Sequence, residues 1–266
     1  MCCLLPILKN KGIHQALDWL FMQKDLTPSV SAGLFGALYG NSQSDETMTF
    51  DVSGLLYGSY ENILRDIPYI LKQSFSHVKV KLGNLTPLQA SEILHILKGK
   101  CSLRVDLNRS WSWDVVERFF SDFPLDFFDY LEEPFFTYPP MTSFSHPIAF
   151  DETARENEID FLKNYFQLKA IVLKPMLLGA SPKTVKLFDL WKAKPLKLSL
   201  SSSFETGVGL YQIALFAKYF ECRDPLGVDT YRFIPQDVLI KRHFIKNGKM
   251  TFFKPIIDMR YLTEVL

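Results

Sequence analysis

Lys79 and Lys81, in the stretch "HVKVKLG", alternate with Val78, Val80 and Leu82. In a strand, successive side chains point to opposite faces, so both ammonium groups share one face and the apolar residues share the other. On the wet face of an antiparallel strand such a pair needs no further meaning. Here it opens a series. Asp106 and Asn108 follow in "RVDLN", Glu132 and Glu133 in "LEEP", Asp151 and Glu152 in "FDET", Lys174 in "LKP", and then "SSSFETG" from Ser201 to Gly207. Lys81 to Asp106 is 25 residues, and the next intervals to Glu132, Asp151, Lys174 and Ser201 are 26, 19, 23 and 27.

Taken singly, each motif has an ordinary structural explanation, since Asp, Asn and Thr are common helix caps. Their recurrence at about one strand-plus-helix interval is what capping leaves unexplained. Three carboxylates brought to one point repel, and one takes up a proton unless a cation holds them. Oxygen ligands without His or Cys select a hard ion, Mg²⁺ before Ca²⁺ or zinc. Lysines flanking such a site suit proton abstraction. An ammonium at Lys79 is expected to disfavour protonation of Lys81 by like-charge repulsion and to attract an anionic substrate.

The elements that must position these residues read as an alternation. Strand patterns fall at "TFDVSGLLYG", "HVKVKLG", "SLRVDLN", "FFDYLEEP", "IAFDE", "LKAIVLKP" and "LKLSLSSS". Helical patterns lie between them, among them "TPLQASEILHILKGK", with Thr86 as cap and Pro87 at the first position, and "SPKTVKLFDLWKA", with Ser181 and Pro182 in those roles. "ENEIDFLKNYF" reads as one helix, and Pro68 is expected to bend "SYENILRDIPYILKQ". This alternation implies a parallel sheet. With no glycine-rich nucleotide loop, a closed β/α barrel accounts for the number of units, and barrels place their chemistry at the carboxyl ends of the strands.

The expected architecture is a (β/α)7β-type barrel over residues 49–232, with a small, abbreviated α+β cap built from residues 1–48 and 233–266. Residues 1–48 offer the helical pattern "HQALDWLFMQ" and no clear strand, while "FIKNGKMTFF" reads as a hairpin turning at Asn247-Gly248.

The chain has 266 residues, 47% of them hydrophobic, enough for one large domain with an appendage. A net charge of +1 argues against nucleic-acid binding by bulk charge. Charges interrupt every apolar run before it could span a membrane. "MCCLLPILKN" lacks a basic leader, and Cys2, Cys3, Cys101 and Cys222 show neither zinc-ligand spacing nor a disulfide framework. A reduced, cytoplasmic protein is expected.

The K-x-K of Lys79 to Lys81, D-x-N of Asp106 to Asn108, E-E-P of Glu132 to Pro134, D-E of Asp151-Glu152 and K-P of Lys174-Pro175 occur in the order found in the muconate-lactonizing branch of the enolase superfamily. The chain resembles that family over residues 28–232. The resemblance implies that Asp106, Glu132 and Asp151 bind Mg²⁺, or Mn²⁺ in its place, supported by Asn108 and Glu152. Glu132 is preferred to Glu133 because the family's ligand is the first residue of its E-x-P. Lys81 would be the base, with Lys174 opposite it and Lys79 as its catalytic neighbour. Ser201, Ser202, Ser203, Glu205 and Gly207 would bind the far end of a small carboxylate substrate.

The activity implied is a carbon–oxygen lyase reaction, dehydration of a cyclohexadiene carboxylate through an enediolate. The alternatives are a racemase of N-acylamino acids or a dipeptide epimerase on the same site, with Lys81 and Lys174 as two bases, or a binding barrel with weakened turnover. The family carries about a hundred residues of cap before its K-x-K strand, whereas 78 residues precede Lys79 here. An abbreviated cap, or a start lying upstream, is therefore expected.

Overall fold

In the computed structural model, which describes residues 8, 11–44, 47–136 and 144–262, seven parallel strands run in chain order around one sheet. They are β2 (Gly54–Leu56), β3 (His77–Lys81), β4 (Ser102–Asp106), β5 (Phe128–Glu132), β6 (Ile148–Phe150), β7 (Leu168–Leu173) and β8 (Lys197–Leu200). Residues 225–228 close the ring as a short eighth strand. Leu226 bridges Val52 beside β2, and Gly227 bridges Ser201 at the end of β8. The expected (β/α)7β barrel is the fold observed. Cys2 and Cys3 lie outside the described residues.

Period-two alternation explains why this ring closes around chemistry. Along β3, Val78 and Val80 are buried under the outer helices, while His77, Lys79 and Lys81 turn inward. The register sets Lys81 beside Asp106 and Asp106 beside Glu132. One layer lower, Tyr130, Ala149, Ala170 and Val172 form a small apolar cluster. Arg104 lies under Tyr130, its guanidinium 5.0 Å from the ring and its Nε donating to Asp129 Oδ2 at 2.9 Å. The acids and lysines at the top thus rest on a packed floor.

The outer helices begin where their caps require. α1 (Ile13–Phe21), α2 (Pro28–Ser42) and α3 (Tyr60–Lys72) come first. α3 continues through Pro68. α4 (Pro87–Leu97) starts with a capping box between Thr86 and Gln89, followed by α5 (Trp113–Ser121). The helix expected over "ENEIDFLKNYF" is two short ones, α6 (Glu152–Glu156) and α7 (Ile159–Asn164), divided at Asn157, whose backbone is extended. α8 (Pro175–Leu178) is a single turn. α9 (Pro182–Ala193) is capped by the Ser181 hydroxyl, and α10 (Gly207–Tyr219) covers the last unit.

"TFDVSGLLYG", read as one barrel strand, is divided. β1 (Thr47–Asp51) pairs antiparallel with β10 (Lys249–Phe253), and β10 pairs with β9 (Phe244–Lys246). Gly54–Leu56 pairs with β3, and Val52 joins the barrel through its bridge to Leu226. The division falls at Val52, whose N–H bonds to the Gly248 carbonyl of the cap hairpin, while Leu226 bonds to Asp51 and Ser53 on the barrel side. The hairpin turns at Asn247-Gly248, both at positive φ, as a two-residue primed turn requires. In this sheet β1 meets the C-terminal hairpin of β9 and β10. α1 and α2, however, lie against α10, where Phe21, Phe35 and Tyr39 pack on Phe216, Tyr219 and Phe220. Among the described residues no helix is long and apolar enough to cross a membrane.

Candidate active site

The carboxyl ends of β3 to β7 deliver alternating charges to one ring. Lys79 Nζ lies 2.9 Å from Asp106 Oδ2 and 2.6 Å from Glu132 Oε1. Lys81 Nζ lies 3.3 Å from Asp106 Oδ2 and donates to Asn108 Oδ1 at 3.1 Å. Lys174 Nζ pairs with Asp151 Oδ2. Asn108, at positive φ, returns its backbone N–H to Asp106 Oδ1 at 3.0 Å.

Burial sets the protonation of this ring. It works against the charge on Lys79, yet Asp106, Glu132 and Asp151 outweigh it and raise its pKa well above the usual lysine range. Burial likewise pushes Asp106 up, but Lys79 and Lys81 hold it below the usual carboxylate value. Glu132 goes the other way: burial, and then the charge of Asp106, push it up to about 8. Burial opposes the charge on Lys174, which Asp151 more than restores. Glu152, the first residue of α6, is raised by burial and by Asp151, and its Oε2 is buried without a hydrogen-bond partner.

Lys79 is therefore no bare like charge beside Lys81. Two carboxylates neutralise it, and Asp106 bridges the pair. Nor do the three acids stand as a ready-made cluster: among the described residues no such group of three is found, and Lys79 stands between Asp106 and Glu132 while Lys174 pairs with Asp151. The lysines supply the positive charge that carboxylates at this density need. The residues nevertheless fit a hard divalent cation. The donor set of Asp106, Glu132 and Asp151 is all oxygen, and Glu132 Oε2 is buried without a hydrogen-bond partner.

Glu133 has different work. Positive φ turns it from the ring. Its Oε1 accepts the backbone N–H groups of Asp151 and Thr153, both at 2.8 Å, and its Oε2 accepts from Thr153 Oγ1 and Arg109 Nε. It fastens the end of β6 to the end of β5.

Lys79, Lys81 and Lys174 line one cavity of about 170 Å³ together with Ser201, Ser202 and Ser203. Of the residues expected at the substrate's far end, Glu205 and Gly207 do not line it. Glu205 Oε2 accepts the Ser203 N–H, and the Gly207 N–H is committed to the Asp237 carboxylate at 3.1 and 3.2 Å, so it is no free donor. Sequence reasoning missed the rest of the lining: Ser53, Leu55, Tyr57, Phe204, Asp229 and Thr230. A signal was present in "PLGVDT", where an acid ends an apolar run as Asp106 does in "LRVD".

No protein-family model matches the chain. It is 29% identical over 251 residues to the o-succinylbenzoate synthase of Pasteurella multocida, covering 85% of this chain and 74% of that protein. To the o-succinylbenzoate synthase of Vibrio cholerae serotype O1 it is 30% identical over 217 residues, covering 76% of this chain and 65% of that enzyme, less than two thirds of its length. Among solved structures, it superposes on a muconate lactonizing enzyme from Pseudomonas fluorescens with a TM-score of 0.70 at 16% identity, over 94% of this chain and 76% of the other. The L-Ala-D/L-Glu epimerase of Bacillus subtilis gives a TM-score of 0.68 at 18% identity, over 92% and 75%.

Proposed function

We propose that this chain, an enzyme with the enolase-superfamily fold, is a Mg²⁺-dependent o-succinylbenzoate synthase. It would dehydrate 2-succinyl-6-hydroxy-2,4-cyclohexadiene-1-carboxylate in the cytoplasm, as a step of menaquinone biosynthesis. The observation that carries the reading is the placement of Lys81 and Lys174 on one cavity, each paired to a different carboxylate of the same ring.

Asp106, Glu132 and Asp151 would hold the divalent ion, whose chemistry is to stabilise negative charge on the substrate's carboxylate. Lys81, 36% exposed against 14% for Lys79, reaches furthest into the opening and takes the proton α to that carboxylate. Asn108 and Asp106 orient its nitrogen. Lys174 faces the resulting enediolate as a fixed positive charge, placed by Asp151 before the reaction begins. Lys81, now protonated, hands its proton to the leaving hydroxyl on the same face, water departs, and the ring becomes aromatic. Ser201, Ser202 and Ser203 line the wall that would receive the succinyl arm.

The test is a steady-state assay of this substrate with Mg²⁺ and with chelator. Turnover that requires the metal is expected. Deuterium exchange into an N-acylamino acid without dehydration would replace the reading by a racemase, and no metal-dependent turnover of either compound would leave a binding barrel.

A further inference from the structure

We propose that Asp229, a residue outside the metal and lysine ring, meets the distal carboxyl of the substrate and holds a proton between the two groups. The proposal rests on the synthase reading and names what its far wall does. Asp229 follows the short closing strand 225–228 and lines the same cavity as Lys81 and Lys174. It is 1% exposed. Its Oδ2 accepts the Leu55 N–H at 2.8 Å and Arg232 Nε at 3.1 Å, while its Oδ1 is buried with no hydrogen-bond partner. An orphaned buried carboxyl oxygen costs free energy unless a ligand or a proton satisfies it.

The rest of the wall narrows the ligand's chemistry. The cations lining the cavity are Lys79, Lys81 and Lys174, and each of the three is paired to a carboxylate of the ring. Arg232 cannot swing in. It is tied to Asp66 at 2.9 Å and to the Leu55 carbonyl at 2.5 Å, and it stacks on Phe233. The hydroxyls of Ser202 and Thr230 are bonded to each other. A substrate whose ring carboxylate sits among the lysines therefore carries its second carboxyl to a wall whose one acidic side chain, among the described lining residues, is Asp229. Two carboxyls in contact share a proton, because both cannot ionise at that distance. Burial, acting against the Arg232 guanidinium, pushes Asp229 up to about 7, so that proton is available near neutrality. The substrate class is a dianion with two carboxyls separated by a short arm, bound together with one proton.

Calorimetry of the intact protein with saturating Mg²⁺ tests this, using o-succinylbenzoate and benzoate, which differ by the arm alone, in buffers of different ionisation enthalpy. At pH 8, o-succinylbenzoate should take up about one proton more than benzoate, and its affinity should fall roughly fiftyfold between pH 7 and pH 9 while that of benzoate follows only the shared ring contacts. In Asp229→Asn, whose amide is a permanent donor, both differences should vanish while benzoate still binds, which shows the variant is folded. Equal proton uptake for the two ligands overturns the assignment to Asp229 alone. So does tighter binding of an Ala-Glu dipeptide as pH rises, which would make Asp229 an ammonium site. Failure of both aromatic ligands to bind overturns the synthase reading and this inference with it.

Discussion

Lys79 Nζ and Lys81 Nζ lie 2.9 and 3.3 Å from one and the same atom, Asp106 Oδ2. That shared oxygen turns two like charges into a bridged pair. The two lysines differ in what else they hold. Lys79 also neutralises Glu132, deep in the ring, while Lys81 leans on Asn108 at the cavity edge. One is built for support and the other for reaction.

Replacing Lys79 by Met should therefore act on stability. It leaves Asp106 and Glu132 buried together without their shared cation, and breaking such a buried arrangement costs about 3 kcal/mol. Mg²⁺ should restore much of the loss, because the ion supplies the missing charge. Urea denaturation in chelator and in Mg²⁺ measures both. A loss under about 0.5 kcal/mol in chelator, the range of an ordinary surface substitution, would show that Lys79 is not the support.

Lys81→Ala should do the reverse. Lys81 is the most exposed of the ring's lysines, so its removal should change stability by no more than about 0.5 kcal/mol. Turnover should fall by roughly 10³-fold, within the range for loss of a positioned general base. Single-turnover kinetics with the cyclohexadiene substrate give the number, and wild-type rates in this variant would remove Lys81 from the mechanism.

The barrel and the ring were legible because period-two alternation and unit spacing are local features. Lys81, Asp106 and Glu132 each end a strand, and Asp151 and Lys174 each directly follow one, at a regular interval, so the register has little freedom. The division of "TFDVSGLLYG" between two sheets was not legible. It depends on two distant segments, the hairpin at Gly248, which takes the Val52 N–H, and Leu226, which bonds to Asp51 and Ser53. The occupation of Gly207 by Asp237 was hidden for the same reason: both partners look like free polar groups until the chain returns. Asp229 was readable and overlooked, because the eighth strand is only a few residues long.

The raised pKa of Glu132 gives a pH dependence with a definite sign. An unfolded glutamate titrates near ~4.3. In the folded protein burial and Asp106 raise it to about 8, so the native state binds more protons than the unfolded state throughout that window. Stability in chelator should be full below the unfolded value and should decline from about pH 5 to pH 8, by no more than about 1.4 kcal/mol per pH unit from this group. Asp106, held low, acts in the opposite direction but only at more acid pH. Mg²⁺ should flatten the decline by taking the proton's place, and Glu132→Gln should remove most of it, leaving the share of Asp229. Melting temperatures at pH 5, 6, 7 and 8 decide, and a slope untouched by both Mg²⁺ and Glu132→Gln would refute the assignment.

Adjacent in sequence, Glu132 and Glu133 should respond oppositely to loss of their charge. Glu133 is wholly buried and closes four hydrogen bonds, two of them to backbone N–H groups of Asp151 and Thr153. Glu133→Ala strands those donors and the Arg109 guanidinium, at a cost of about 3 kcal/mol or more, and loosens the backbone that aims Asp151. Mg²⁺ affinity should drop as a consequence of that movement. Glu132→Gln removes instead one of the two carboxylates beside Lys79, whose charge Asp106 still balances. In chelator at pH 8 it should leave stability unchanged or higher, while calorimetry shows Mg²⁺ binding lost. Denaturation in chelator separates the two acids without any reference to turnover, and an inverted pair of results would exchange their roles.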